Sequence, residues 1–418
     1  MKSRSFWLVL ILGILLRLVL SFSTFHPDLV AFHLGGELIA KGNFLNLYDY
    51  IGNLEQSHPL RNIFPPDLFI YPPLSYLLFS LFLIPSLLFV PGFIHENMTY
   101  NLSSILGDFR FNFLLMSFKL GYLFFDLGIA FLLANLFKEK KDKFMAFTLW
   151  IFNPVNLYVT YMMGQFDIVP TFFAILTIYF LNNNKSNKYY FYLSSFALGI
   201  GGLFKIYPLL FVVPAALLYD RWKERISFVL LSVGVYILGL LPFLGSSGFR
   251  SSALVAGQTL KSFYAKILVS GGESIILYPT ILIFIYLVFY FKKLESNNLI
   301  WRRFFVILLI FFVFTHYHPQ WFIWITPFFV VDLVETKFKN WPLVFLSLFS
   351  FFSLLFFFEP SLTIGLFSPV FPTLLNSDSI WHLLGFNPDI NFFRSIFHSI
   401  FVSAAFYYLF IYFYRYKN

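Results

Sequence analysis

The sequence predicts an all-α, polytopic bundle of about 12 transmembrane spans, because its apolar runs come near the ~20 residues that a bilayer requires. Composition agrees: 59% of the 418 residues are hydrophobic and only 12% are charged, with a mean hydropathy of +0.76. Soluble domains carry roughly 25% charged residues. The third observation is where the charges lie. Basic residues sit in short clusters between apolar runs, so the net charge of +9 belongs to membrane-protein loops, and no nucleic-acid partner is expected.

In chain order the apolar runs place spans at 6–22, 111–137, 144–163, 166–182, 189–204, 207–219, 226–245, 274–291, 299–315, 321–334, 341–358 and 396–414. The first follows Lys2 and Arg4 with no small-residue cleavage site behind it, and reads as an uncleaved helix. Alternate threading brings Lys2/Arg4, Lys138/Lys140/Lys141/Lys143, Lys185/Lys188, Arg221/Lys223/Arg225, Lys292/Lys293, Lys337/Lys339 and Arg415/Lys417 to one side. Positive loops mark the cytoplasm, so both termini are expected there.

This threading leaves residues 23–110 as one long outer loop, although 74–90 is apolar enough to span. Were it a span, the Lys138–Lys143 cluster would fall outside. A helix lying in the interface, interrupted by Pro72, Pro73, Pro85 and Pro91, keeps the charge rule; both readings stay open. Further outer loops cover 246–273 and 359–395. The chain divides into a module of spans 1–7 (1–273) and a C-terminal helical module (274–418). With no cysteine there is no disulfide, thiolate chemistry or Cys-based metal site. No internal repeat supports an inverted-repeat transporter.

Polar residues converge at the outer ends of the spans. Asp28 follows span one, Gln165 and Asp167 lie between spans three and four, and Lys205 with Tyr207 lies between spans five and six. Arg250 follows span seven, and His316, His318 and Gln320 sit between spans nine and ten. Lys119 and Asp126 share one face of span two. Each also has a structural reading. Asp28 could cap the helix beginning at Leu29, Lys205 could snorkel to the interface, and Arg250 could be solvated. The two histidines could simply occupy a turn, and Lys119–Asp126 could be a structural ion pair. As a set, however, an outward acid can accept a proton from a hydroxyl, cations can neutralise a departing phosphate, and Phe-rich helices can hold an isoprenoid tail.

Several segments then resemble the GT-C glycosyltransferases, membrane enzymes that use dolichyl- or polyprenyl-phosphate sugars. His26-Pro27-Asp28 opens a long first loop that runs through Gly42…Leu47-Tyr48 to Tyr71-Pro72-Pro73-Leu74. Lys119…Asp126, Asn153-Pro154…Gly164-Gln165-Phe166-Asp167 and Phe204-Lys205-Ile206-Tyr207-Pro208 resemble segments of the glucosyltransferases of N-glycan assembly. His318-Pro319-Gln320-Trp321-Phe322-Ile323-Trp324 is similar to a stretch of the mannosyltransferases of N-glycan and GPI assembly.

The resemblance implies an inverting hexosyltransferase, mannose first, acting on a lipid-linked or glycan hydroxyl. Asp28 would be the general base, and Lys205 would bind the donor phosphate with help from Arg250. His316 and His318 would hold phosphate or sugar; Gln320 and Asp167 would bond hexose hydroxyls. Gln165, Tyr207, Lys119 and Asp126 complete the candidate substrate-binding set. No cofactor is implied. The first loop lacks an Asp-x-Asp, so no divalent metal is expected, and the last loop and span have no counterpart in the pattern. A transporter or lipid flippase, and a non-catalytic membrane assembly subunit, are the competing readings.

Overall fold

The computed structural model of the chain describes residues 4–183, 189–254, 257–292, 299–316 and 318–414. Lys2, Lys185, Lys188, Lys293, Arg415 and Lys417 of the basic clusters lie outside the described residues, as does Tyr317. The longer helices are α1 (Arg4–Ser23), α2 (Asp28–Ala40), α3 (Pro73–Phe89), α4 (Phe109–Leu120), α5 (Leu123–Asn135), α6 (Lys140–Ile151) and α7 (Ile168–Asn183). They continue as α8 (Tyr189–Gly202), α9 (Trp222–Leu240), α10 (Leu277–Phe291), α11 (Ile300–Phe314), α12 (Thr326–Glu335), α13 (Trp341–Leu355) and α14 (Ile390–Tyr414). A hairpin of β1 (Lys266–Ser270) and β2 (Glu273–Ile276) is the sheet among the described residues.

Four helical stretches are long and apolar enough to cross a membrane: Arg4–Ser23, Phe109–Asn135, Trp222–Phe243 and Ile390–Phe413. They expose apolar side chains along their length, including Leu8, Ile11, Leu12 and Leu15 on α1 and Leu230 and Leu238 on α9. Such continuous apolar surface is unfavourable in water and natural in lipid. The chain is therefore a membrane-embedded helical protein. From Phe304 onward α11 is apolar all round, and it is buried along almost its whole length, which makes it a central helix.

Other expected spans are shorter or broken, and the breaks have local causes. The run 144–163 is divided after α6, where Asn153 caps the next turn by accepting from the Asn156 amide at 3.0 Å and Pro154 opens it. The run 207–219 is a tight turn followed by the five-residue helix Val212–Ala216, with Pro208 and Pro214 inside. The run 321–334 begins as a tight turn from Pro319 and becomes regular only at Thr326. α3 is a 17-residue apolar helix carrying Pro85. The Gly199–Gly202 run serves close packing, since a Cβ at Gly199 would lie 2.6 Å from the Ser232 carbonyl of α9.

Contacts between loops form two clusters. In the basic one Lys337 pairs with Asp142 at 2.7 Å, and Arg302 meets Glu335 at 2.5 Å. Arg303 donates to the Lys292 carbonyl at 2.8 Å, and the Arg225 guanidinium lies 5.6 Å from the Tyr290 ring. One chain of contacts thus joins the loops around 140, 225, 292 and 337. The turns at 24–28, 164–167, 205 and 318–324 are linked among themselves at another place in the fold.

A buried network fixes the early helices. The Asp126 carboxylate accepts from Arg17 Nε at 2.6 Å, Tyr161 Oη at 2.7 Å, and Trp150 Nε1 and Asn156 Nδ2 at 2.8 Å each. Lys119 is not its partner. The Lys119 ammonium donates instead to the Thr24 carbonyl at 2.6 Å and the Met162 carbonyl at 3.1 Å. Sharing a helix face places two charges side by side without choosing the partner, and Arg17 of α1 arrives from the neighbouring helix. Replacing Asp126 by Ala would leave the Arg17 charge stranded, a change that costs about 3–5 kcal/mol in buried pairs. A large fall in the unfolding midpoint of detergent-solubilised protein, or loss of folded protein, is expected; a midpoint equal to wild type would contradict the network.

Candidate active site

The turn Gly164-Gln165-Phe166-Asp167 leads into α7. Gly164 has φ +75°, and a Cβ there would lie 2.7 Å from the Leu29 side chain, so both conformation and space select glycine. The Tyr122 hydroxyl donates to the Gly164 carbonyl at 3.0 Å, and the Gln165 amide donates to the Val159 carbonyl at 3.0 Å. Held this way, the turn reaches in two directions. Gln165 Nε2 donates to Asp28 Oδ2 at 2.8 Å, while Asp167 Oδ1 accepts from Lys205 Nζ at 2.7 Å.

Asp28 is the first residue of α2, preceded at the cap position by Pro27, which offers no side-chain cap. Its carboxylate is turned toward Gln165 and is 42% exposed. His26 Nδ1 accepts from the Asp28 amide at 3.2 Å and lies 3.7 Å from the carboxylate. The helix-cap reading is therefore not the arrangement adopted. Asp28 is a partly exposed carboxylate held by a neutral amide.

Lys205 is nearly buried and does not snorkel. Its ammonium lies 5.1 Å from the Phe166 ring centre, 5.3 Å from Tyr71, 5.6 Å from Trp324 and 5.9 Å from Trp321. Such an aromatic cage favours a cation through the ring quadrupoles. Burial pushes the Lys205 ammonium down, and the Asp167 carboxylate, then that of Asp28, pull it back up. Of its three N–H groups, one goes to Asp167; among the described residues the others have no hydrogen-bond acceptor. Trp324 Nε1 also donates to Asp167 Oδ1 at 2.7 Å, and Tyr207 stacks on Trp324 at 4.1 Å with its hydroxyl donating to Thr171 at 3.0 Å. Tyr207 is thus a support for Trp324.

No protein-family model and no curated protein matches the chain.

The remaining candidates divide. His318 accompanies the site: its ring stands 5.4 Å from Trp321, and Lys261 contacts its Nε2. Lys261, which the motifs did not single out, comes from the loop before the β-hairpin. Burial, then Lys261, His316 and Lys205, push the His318 imidazole down to about 4, so it is neutral near pH 7. His316 lies 6.1 Å away and is exposed. Gln320 is buried beside Trp321. Arg250 is directed elsewhere: its guanidinium donates to the Leu244 and Gly245 carbonyls at 2.7 and 3.1 Å. Asp49 pins that loop by accepting from the Gly248 amide at 2.7 Å. Lys119 and Asp126 serve the buried framework described above. Among the described residues, no group of three or more His, Asp or Glu side chains is arranged to hold a metal ion.

Because Lys261 helps lower the His318 pKa, the Lys261→Met variant should raise it. A histidine NMR titration of the detergent-solubilised protein should then show His318 gaining its proton at a higher pH than in wild type. An unchanged or lower titration point would contradict the contact.

Proposed function

We propose that the chain is an inverting glycosyltransferase of GT-C type that moves a hexose, mannose first, from a polyprenyl or dolichyl phosphate to a hydroxyl on a lipid-linked or glycan acceptor. One observation carries the reading: a single turn joins an accessible carboxylate, Asp28, to a caged lysine, Lys205, that has donors to spare. In the reaction, the acceptor oxygen attacks the anomeric carbon while Asp28 takes its proton. The bond from that carbon to the phosphate oxygen breaks, and the phosphate departs with the electron pair. Lys205 meets the departing charge, with Lys261 as the second cation in place of Arg250. Gln165 orients Asp28, and the Tyr71, Trp321 and Trp324 rings offer apolar faces to a sugar.

The topology belongs to the same proposal: about 12 crossings, some by short or broken segments, with both termini cytoplasmic and the site outside. Supporting it, basic loops distant in sequence are tied together by Lys337–Asp142 and Arg303–Lys292, as a shared cytoplasmic end requires. The site turns form a separate cluster. A transporter would use deep charges that exchange partners, whereas Asp126 is held by four donors.

The test is incubation of the purified protein with a panel of lipid-phosphate sugars, reading transfer or release of the lipid phosphate. One donor should be consumed by wild type, and Asp28→Asn should lower the rate by roughly 10²–10⁴, the contribution of a general base, with an unchanged unfolding midpoint. Near-normal turnover by Asp28→Asn would overturn the assignment.

A further inference from the structure

A cavity with polar and apolar walls lies between α13, α14 and the turn after α11. Its volume is about 220 Å³. α14 contributes Asn391, Arg394, Ser395 and His398, a set at helical spacing that forms one polar stripe on an otherwise apolar helix. Thr315 and His316 close the opposite wall, and Phe351, Leu354 and Phe358 supply an apolar side.

Arg394 is aimed by its surroundings. Its Nε donates to the Phe357 carbonyl at 2.8 Å, and its guanidinium stacks 4.2 Å from the Phe358 ring centre. That leaves both terminal nitrogens without a hydrogen-bond acceptor among the described residues. Glu359 is close enough to act on the Arg394 charge without pairing to it. His398 is fixed by Nε2 against the Phe312 carbonyl at 2.8 Å. A second observation points the same way. Thr315 is 1% exposed and lines the cavity, and its hydroxyl has no hydrogen-bond partner among the described residues. A buried hydroxyl left unpaired is costly, and a ligand oxygen would satisfy it.

We propose that this cavity binds a phosphate-type oxyanion, held by the free edge of Arg394, the Thr315 hydroxyl and the His316 ring. A planar guanidinium with both terminal nitrogens open suits two oxygens of one phosphate. The apolar side favours a phosphate ester on a hydrocarbon chain over a free ion. The site is separate from Asp28 and Lys205: His318 faces their cage while His316, two residues earlier, lines this cavity. Binding here is measured without turnover, so it stands or falls independently of the transfer reading.

The experiment is equilibrium binding to the full-length purified protein in detergent, using inorganic phosphate, farnesyl phosphate and dioleoyl phosphatidic acid as separate probes. Farnesyl phosphate is expected to bind, and Arg394→Gln to weaken it about tenfold or more, as loss of a charge-assisted bond predicts. His316→Ala, at an exposed position, provides a second variant that does not depend on Arg394→Gln folding, and is expected to weaken binding too. If inorganic phosphate alone binds, with the same dependence on these variants, the oxyanion assignment holds and its source is a free anion. If phosphatidic acid binds as well as farnesyl phosphate, the source is any phosphate-bearing lipid. Absence of binding by all three probes, or binding indifferent to every folded variant, would overturn the proposal.

Discussion

Everything proposed for the site depends on one turn. Gly164–Asp167 places Gln165 against Asp28 and Asp167 against Lys205, so a carboxylate from the end of the first span and an ammonium from the middle of the chain share one wall. Neither group touches the other. Separation matters to the proposed chemistry, because a direct pair would occupy the proposed base and the proposed phosphate-binding cation together. Instead Asp28 receives an uncharged donor and stays open, while Lys205 receives one carboxylate and four aromatic faces and stays buried. A left-handed glycine packed on Leu29 makes the turn this tight.

The framework behind the turn is equally constrained. Arg17, Asp126, Trp150, Asn156 and Tyr161 bind three parts of the early chain around one buried carboxylate, and Lys119 ties the chain at Thr24 to Met162. Those carbonyls lie just before His26 and just before Gly164. The two polar clusters therefore share a boundary: charges inside the bundle set where the site's strands of chain emerge. Unpaired charges at such depth are unfavourable, and nearly all of this polarity is spent on holding position.

Much of this was legible in the residues. The helical class and the membrane setting follow from apolar runs and sparse charge. Asp28, Asp167, Lys205 and His318 each follow an apolar run in the sequence, and the structure links them through Gln165, Trp324 and Trp321. Periodicity could not supply partners, however. Lys119 and Asp126 lie on one face, yet Arg17 from α1 takes the carboxylate. Arg250 has the right charge in the right loop, but Asp49 pins that loop and carbonyls capture the guanidinium. Lys261 reaches His318 from an irregular segment with no motif. Pro154, Pro208, Pro214 and Pro319 shorten regular helix within several of the apolar runs. The polar stripe Asn391, Arg394, Ser395, His398 was readable as an i, i+3, i+4, i+7 set, and its meaning came only with the cavity wall opposite.

The chain has no native cysteine, so a single thiol can report directly on where the carboxylate stands. With Asp28→Cys in sealed, right-side-out vesicles, a membrane-impermeant maleimide should label the thiol from outside, and a lipid-phosphate sugar should slow that labelling. Labelling only after the vesicles are opened, or a rate indifferent to every such lipid, would contradict an outward-facing site built on the Gly164–Asp167 turn.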